Sequence, residues 1–424
     1  MDSHEPIRKQ VLQGQCVWPI SPTKARVEGD AILYSAFDDP FQRPEGAYYD
    51  GPVIEYEPVR VDGIITPAFC DWHFHWVQHR IRGASSAPLL QWLEDKALPE
   101  EARYSDPGFA AVAAEGFRRN QVAAGTLSGC SWGSPDPGSV LAAKAAGVRA
   151  ALSGPALMTR DGPGGNGLAR PIEQALSELS ALYGELGASL MVAPRFALSC
   201  GAEDLAALGK FAADNTLWVH THLAENQDEC AAVAHEFKEA KSYVDVYDQA
   251  GLLTPRTLLA HCIHLDDFDW RTIKRRGSIV VHCPTANEVL GSGRMPLEKV
   301  RAMDIPWVLG SDIGAGPDLC MMAVVEAATR VHDWHAPVTA VEAFFRATVS
   351  LKSLEAYASR KTRVTRAMGA ARAGFIEFRR PTAIDRGDRD PEQILLALID
   401  AYKSDPDNAI TAVYDSEFNR VDVA

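Results

Sequence analysis

The chain has no paired cysteines, no excess of positive charge and no long apolar run, and each absence excludes a class of protein. Its eight cysteines (Cys16, Cys70, Cys130, Cys200, Cys230, Cys262, Cys283 and Cys320) are scattered over 424 residues without one Cys-x-x-Cys pair. Spacing of that kind gives neither a zinc knuckle nor a disulfide frame, and it reads as reduced, mostly buried thiols. Forty-two Lys and Arg stand against 56 Asp and Glu, a formal net charge of −14. A nucleic-acid partner would need a basic face, so none is expected. No run of about 18 apolar residues occurs, so no membrane span is expected. The opening MDSHEPIRKQ is polar, without the apolar stretch of a secretory leader, and cytoplasmic residence is the expectation. What the chain does have is apolar content, 46% of its residues. That is enough to bury one large core with a smaller domain beside it.

The rhythm of the sequence changes twice. Residues 1–66 alternate short β-like runs (QCVWPI, GDAILYSAF, GPVIEYEPVRV) with turn clusters rich in Asp, Pro and Gly. Over 67–370, short apolar runs alternate about eight times with helical stretches, as in TLWVHTHL followed by DECAAVAHEFKEA. Strand, loop and helix in repetition predict a parallel sheet, either closed or doubly wound. Polar residues decide between the two. His73 and His75, Arg195, His220 and His222, His261, His282 and Asp312 each fall at the downstream end of a predicted strand. A closed barrel gathers all those ends at one mouth, whereas an open sheet would spread them along a line. The expected fold is therefore α/β, a (β/α)8 TIM-like barrel over 67–370. Residues 371–424 hold a helical stretch, PEQILLALIDAYKS, and a strand-like NAITAVYDSEFNRV. With residues 1–66 they are expected to form a small composite β-sandwich domain.

The strongest local signal is Asp71-Trp72-His73-Phe74-His75. Alternate strand residues share a face, so His73 and His75 can grip one cation. In His220-Thr221-His222-Leu223-Ala224-Glu225, His222 offers a third imidazole, with His220 ranked below it. Glu225 would lie beside the metal and suit the carriage of protons between water and substrate. Its bland alternative is a solvated acid at a helix start. Asp312 at another strand end can ligate the metal and take a proton from water, and His261 can fix that water by a hydrogen bond. A strand-end His is otherwise a satisfied core residue, and Gly-Ser-Asp a turn. Three imidazoles plus a carboxylate suit zinc first and iron(II) second, one ion per chain. His282 is a candidate for a position behind the ligands, while His264, His332 and His335 read as surface residues.

These residues resemble the amidohydrolase superfamily, and within it the guanine deaminases. Pro67-Ala68-Phe69-Cys70-Asp71-Trp72-His73-Phe74-His75 matches the superfamily's Pro-Gly-Phe-x-Asp-x-His-x-His run. Gln78, the segments Leu89-Leu90-Gln91-Trp92-Leu93 and Pro99-Glu100-Glu101, and Pro194-Arg195-Phe196-Ala197-Leu198-Ser199-Cys200 match the narrower family. So do HTHLAENQDE, LAHCIHL, HCPTANEVLGSG and LGSDIGAG, and the likeness runs from about 60 to 370. The resemblance implies that His73, His75, His222 and Asp312 bind the metal. Glu225 would be the proton shuttle and His261 would lie near the water, while Gln78, Arg195 and Phe196 hold the ring. Gln supplies a donor and an acceptor, Arg donates to a carbonyl, and Phe stacks. The implied activity is hydrolytic deamination of guanine to xanthine and ammonia, by water activated at the metal, in a homodimer.

Several positions depart from the family's pattern: Ala68, Trp72, the stretch Thr126–Gly133, Ala286, Pro317-Asp318-Leu319-Cys320 and Ala373-Gly374-Phe375. Changes in a pocket rim redirect specificity without touching a metal set. The alternative expectation is thus a related hydrolase of another aminated ring, such as a pterin, a triazine, 8-oxoguanine or another purine. A metal-free scaffold is the third.

Overall fold

Strand β1 (Ile7–Ser21) turns at Pro22-Thr23 into β2 (Lys24–Leu33), and β3 (Ile54–Pro67) runs parallel to β1 on its other side. Far along the chain, β12 (Phe375–Phe378) adds antiparallel to β3, and β13 (Ile410–Tyr414) to β12. The described strands of both ends thus form one five-stranded sheet, in the order β13-β12-β3-β1-β2. Period-two alternation gives it two buried faces. Leu12, Cys16, Val61, Ile65 and Phe375 form a core of their own on one side, while Val17, Ile64 and Phe378 join the main core on the other. This computed structural model describes residues 7–33, 54–84, 88–161, 167–332, 334–348, 351–362, 374–416 and 419–421. Parts of the expected strand runs (34–37 and 51–53), Ala373 and the expected domain boundary at 370–371 lie outside them.

Eight strands follow in parallel: β4 (Phe69–His75), β5 (Thr126–Gly133), β6 (Leu152–Pro155), β7 (Met191–Val192), β8 (Trp218–Leu223), β9 (Thr257–His261), β10 (Ile279–His282) and β11 (Trp307–Leu309). Ladders join β4-β5-β6 and β7-β8-β9-β10-β11. Parallel bridges from Ser153 to Leu190 and from Leu157 to Pro194 connect the two groups. At the other seam Asp312 N donates to His73 O at 2.7 Å. The sheet therefore closes on itself as the expected barrel. Both faces of each strand are covered, which is why IVVH and TLLAH are buried throughout and read as apolar runs.

The outer helices obey the 3.6-residue period. In Ile172–Leu186, for example, Ala175, Leu179 and Leu182 are the buried positions. Helix 267–276 begins at a capping Asp266 and ends at Gly277 in the left-handed conformation. Helix Pro391–Ser404 forms as read from the sequence and packs on the barrel helices 321–331 and 340–348, where Glu392 accepts from Ala340 N and Val341 N. No described helix is long and apolar enough to cross a membrane.

Candidate metal centre and substrate pocket

Because β4 alternates, Asp71, His73 and His75 face the barrel axis while Cys70, Trp72 and Phe74 pack outward into core. At the mouth His75 Nε2 lies 3.1 Å from His222 Nε2, His73 Nε2 lies 3.3 Å from Asp312 Oδ1, and His75 Nε2 lies 3.6 Å from the same oxygen. Ligand atoms about 2.1 Å from one tetrahedral ion would sit about 3.4 Å apart, so these separations suit a shared cation. Ligand-capable atoms of all four residues lie within 4.8 Å of one another.

The charge states fit a cation as well. Burial drives His73, His75 and His222 well below the usual imidazole range, so their rings are neutral and offer lone pairs. Burial alone lifts Asp312 to about 6, against the pull of His261 and Arg195. A divalent ion among them would push the imidazole values lower still and reverse the rise at Asp312, so that all four groups present lone pairs. His73 Nε2 has no hydrogen-bond partner among the described residues, as a ligand atom requires. His222 Nδ1 donates to Arg195 O at 2.6 Å, which fixes the tautomer that turns Nε2 toward the cluster.

Behind the cluster stand His220, ranked in the sequence below His222 as an imidazole donor, and Trp132 and Asp71, whose roles the sequence left open. His220 Nε2 lies 3.0 Å from His73 Nδ1, and Trp132 Nε1 donates to His220 Nδ1 at 3.2 Å. The Trp132 ring also packs against His75 and His222. Asp71 accepts from Ser311 N at 2.9 Å and from His73 N at 3.2 Å, and its second oxygen accepts from Ser311 Oγ. It thereby ties β4 to the turn bearing Asp312.

Beside the cluster, His261 Nδ1 donates to Asn287 Oδ1 at 2.8 Å. Its Nε2 points at Glu225 Oε2 (3.4 Å) and Asp312 Oδ2 (3.9 Å). Burial, then the charges of Asp312 and Glu229, push the Glu225 carboxyl well above the usual range. Ser292 Oγ donates to its other oxygen at 3.4 Å. Glu225 is fully buried, so the solvated helix-start alternative does not hold. Ala224, His261, Cys262 and Asp312 all have positive φ (49°, 69°, 53° and 50°). Left-handed backbone costs a non-glycine residue about 1–3 kcal/mol, and such strain gathers at functional sites.

A cavity of about 380 Å³ opens on His75, His222, Glu225 and Asp312. Gln78, Arg195, Phe196 and Trp92 form other parts of its wall. Seven predicted site residues, His75, Gln78, Arg195, Phe196, His222, Glu225 and Asp312, thus line one space, with His73 and His261 adjoining through Asp312. His282 does not join them: its Nε2 lies 3.0 Å from His332 Nε2. His332, expected at the surface, is fully buried. Trp72, Ala286 and residues 317–320 stand outside the cavity lining, and Trp72 and Ala286 are core. Glu101 is the principal omission: Arg195 Nη1 donates to both its oxygens (2.9 and 2.8 Å), and Gln78 Nε2 to one of them (2.6 Å).

The amidohydrolase family model matches residues 64–353. Guanine deaminase of Escherichia coli (strain K12) is 32% identical over 296 residues, 68% of this chain and 67% of that protein. Guanine deaminase of Dictyostelium discoideum is 31% identical over 302 residues, 67% of each. Among solved structures, guanine deaminase from C. acetobutylicum with guanine in its active site superposes with a TM-score of 0.81 at 26% identity, covering 97% of this chain and all of that one. The matched span holds all the mouth residues described above, and the family is metal-dependent. The chain belongs to the amidohydrolase family.

Proposed function

We propose that the chain deaminates guanine hydrolytically, giving xanthine and ammonia, with a divalent cation held by His73, His75, His222 and Asp312. The carrying observation is that one cavity is lined by His75, His222 and Asp312 of that ligand set, by Glu225 and by Gln78, Arg195 and Phe196, with His73 grouped behind its fellow ligands. Three imidazoles with one carboxylate favour zinc over iron. When bound, such an ion supplies Lewis acidity that makes water acidic near neutral pH.

The chain's own residues do the rest. Phe196 stacks on a flat ring, Arg195 donates to its carbonyl oxygen, and Gln78 meets its edge. Glu225, its proton retained by burial, gives that proton to a ring nitrogen next to the carbon under attack. It then takes the proton that the attacking water releases, and passes it to the departing amine. Asp312 accepts a proton from the same water. His261, oriented by Asn287, hydrogen-bonds the oxygen as it adds. The inventory balances once the proton taken by Asp312 returns to Glu225: the ring's N=C–NH2 unit and water become ring N–H, ring carbonyl and ammonia.

Relatives named guanine deaminase align with about two thirds of this chain, 68% and 67% of it. The departures at Trp72, Ala286 and 317–320 lie away from the cavity lining, which supports guanine over another aminated ring. Ammonia release from guanine, a pterin, an aminotriazine and 8-oxoguanine tests the reading. Guanine should give the largest kcat/KM, and ammonia from another ring with none from guanine refutes it. Elemental analysis should find about one zinc per chain. Light scattering should show the homodimer that the family resemblance implies.

A further inference from the structure

Glu101, in the helix Leu98–Ala102, lies behind the pocket wall and bonds the lining residues Gln78 and Arg195. Its side chain is wholly buried and its ion-pair partner Arg195 is 4% exposed. A carboxylate only accepts hydrogen bonds. Gln78 must therefore turn its Nε2 toward Glu101, and its Oε1 is left over. That oxygen is buried with no partner among the described residues. It lies against Gly314, whose φ of +123° and lack of a side chain make the room, since a Cβ there would overlap it. Only Nη1 of Arg195 is engaged by Glu101, so its other donors remain for the cavity.

We infer that Glu101 is a positioning residue that sets the recognition code of the pocket. It fixes Gln78 as an acceptor and Arg195 as a charge-neutralised donor. The site then selects an uncharged ring bearing an N–H and a carbonyl, and rejects an anionic one. The inference rests on the proposed function for the orientation of the ring, and it concerns how that ring is chosen. An anion would compete with Glu101 for Arg195 and place its charge beside a buried carboxylate, whereas a neutral lactam meets one acceptor and one donor already in place.

Binding of two non-reacting probes to the zinc-loaded enzyme tests this, with hypoxanthine as the neutral lactam and purine-6-carboxylate as the anion. Wild type should favour hypoxanthine by about tenfold or more. Glu101→Gln frees the Gln78 amide to present either end and leaves Arg195 unbalanced. The preference should fall by about tenfold or more, toward the carboxylate, with zinc content unchanged. Glu101→Asp keeps the charge and should keep the wild-type order. An unchanged ratio in folded, zinc-loaded Glu101→Gln overturns the inference. So does a wild type that prefers the anion, which decides the matter even if the variants do not fold. Wild-type ammonia release from guanine, read in parallel, bears on the proposed reaction alone.

Discussion

Two walls of one cavity solve opposite electrostatic problems. On the metal side, neutral imidazoles and carboxyls held toward protonation crowd together with ligand atoms unpaired. On the ring side, Arg195, Glu101 and Gln78 are already bonded to one another before any ligand arrives. The first wall is complete only with a cation, while the second is complete without one. The contrast suits the proposed chemistry. The reacting end needs strong, unsatisfied groups, and the recognising end needs rigid, neutralised ones.

Asp312→Ala should erase the distinction on the metal side. We expect zinc content to fall far below one per chain and kcat/KM to drop by about ten-thousand-fold or more. Retention of zinc at wild-type level would break the assignment of this wall. Glu225→Gln sharpens it by separating binding from proton transfer. Zinc should stay, while kcat falls by about 10²–10⁴-fold in single-turnover kinetics. Normal turnover in that variant would remove Glu225 from the mechanism.

Arg195→Ala probes the ring side and leaves Glu101 as a buried, unpaired charge. Stability should fall by about 3–5 kcal/mol in chemical denaturation, and KM should rise while metal content holds. An unchanged KM would mean that this wall recognises nothing. The smallest effect belongs to a pair outside both walls. Arg294 holds the half-exposed Glu298 down to about 2 by hydrogen bonding. A depressed carboxyl stabilises the fold above the ordinary carboxylate range and loses that contribution as pH falls toward 2. Glu298→Gln should therefore cost only about 0.3–0.5 kcal/mol near neutral pH, a difference that shrinks below pH ~4.5. A cost near that of Arg195→Ala would show that burial is not what separates the two ion pairs.

Much of the site could be read before folding. His73 and His75 share a strand face by their spacing alone, and His222, His261 and Asp312 announce themselves as polar residues closing apolar strands. His220, two residues before His222, carried the same period-two signal and takes the place behind His73. Glu101 sits in a segment that matched the family, yet nothing local distinguishes it from its neighbour Glu100. Only its place beneath Arg195, 94 positions away, does so. Trp132 and Asn287 escaped for the same reason, since each acts on a histidine from a different strand end. His332 read as a surface residue because burial of a helix-end histidine depends on what packs over it, here Arg294 and His282.

By itself the sequence determined the period of each element, the placing of polar groups at strand ends and the chemical kinds of ligand available. These follow from local geometry, because side chains two apart on a strand point one way. Tertiary structure decided which of those ends meet, which nitrogen of His222 faces inward, and which of two adjacent glutamates lies under the guanidinium. It also placed Trp72, the bulky residue between the two histidines, in the core and away from the cavity. Such choices arise from barrel closure and long-range burial, which bring together groups that the chain keeps tens to hundreds of residues apart.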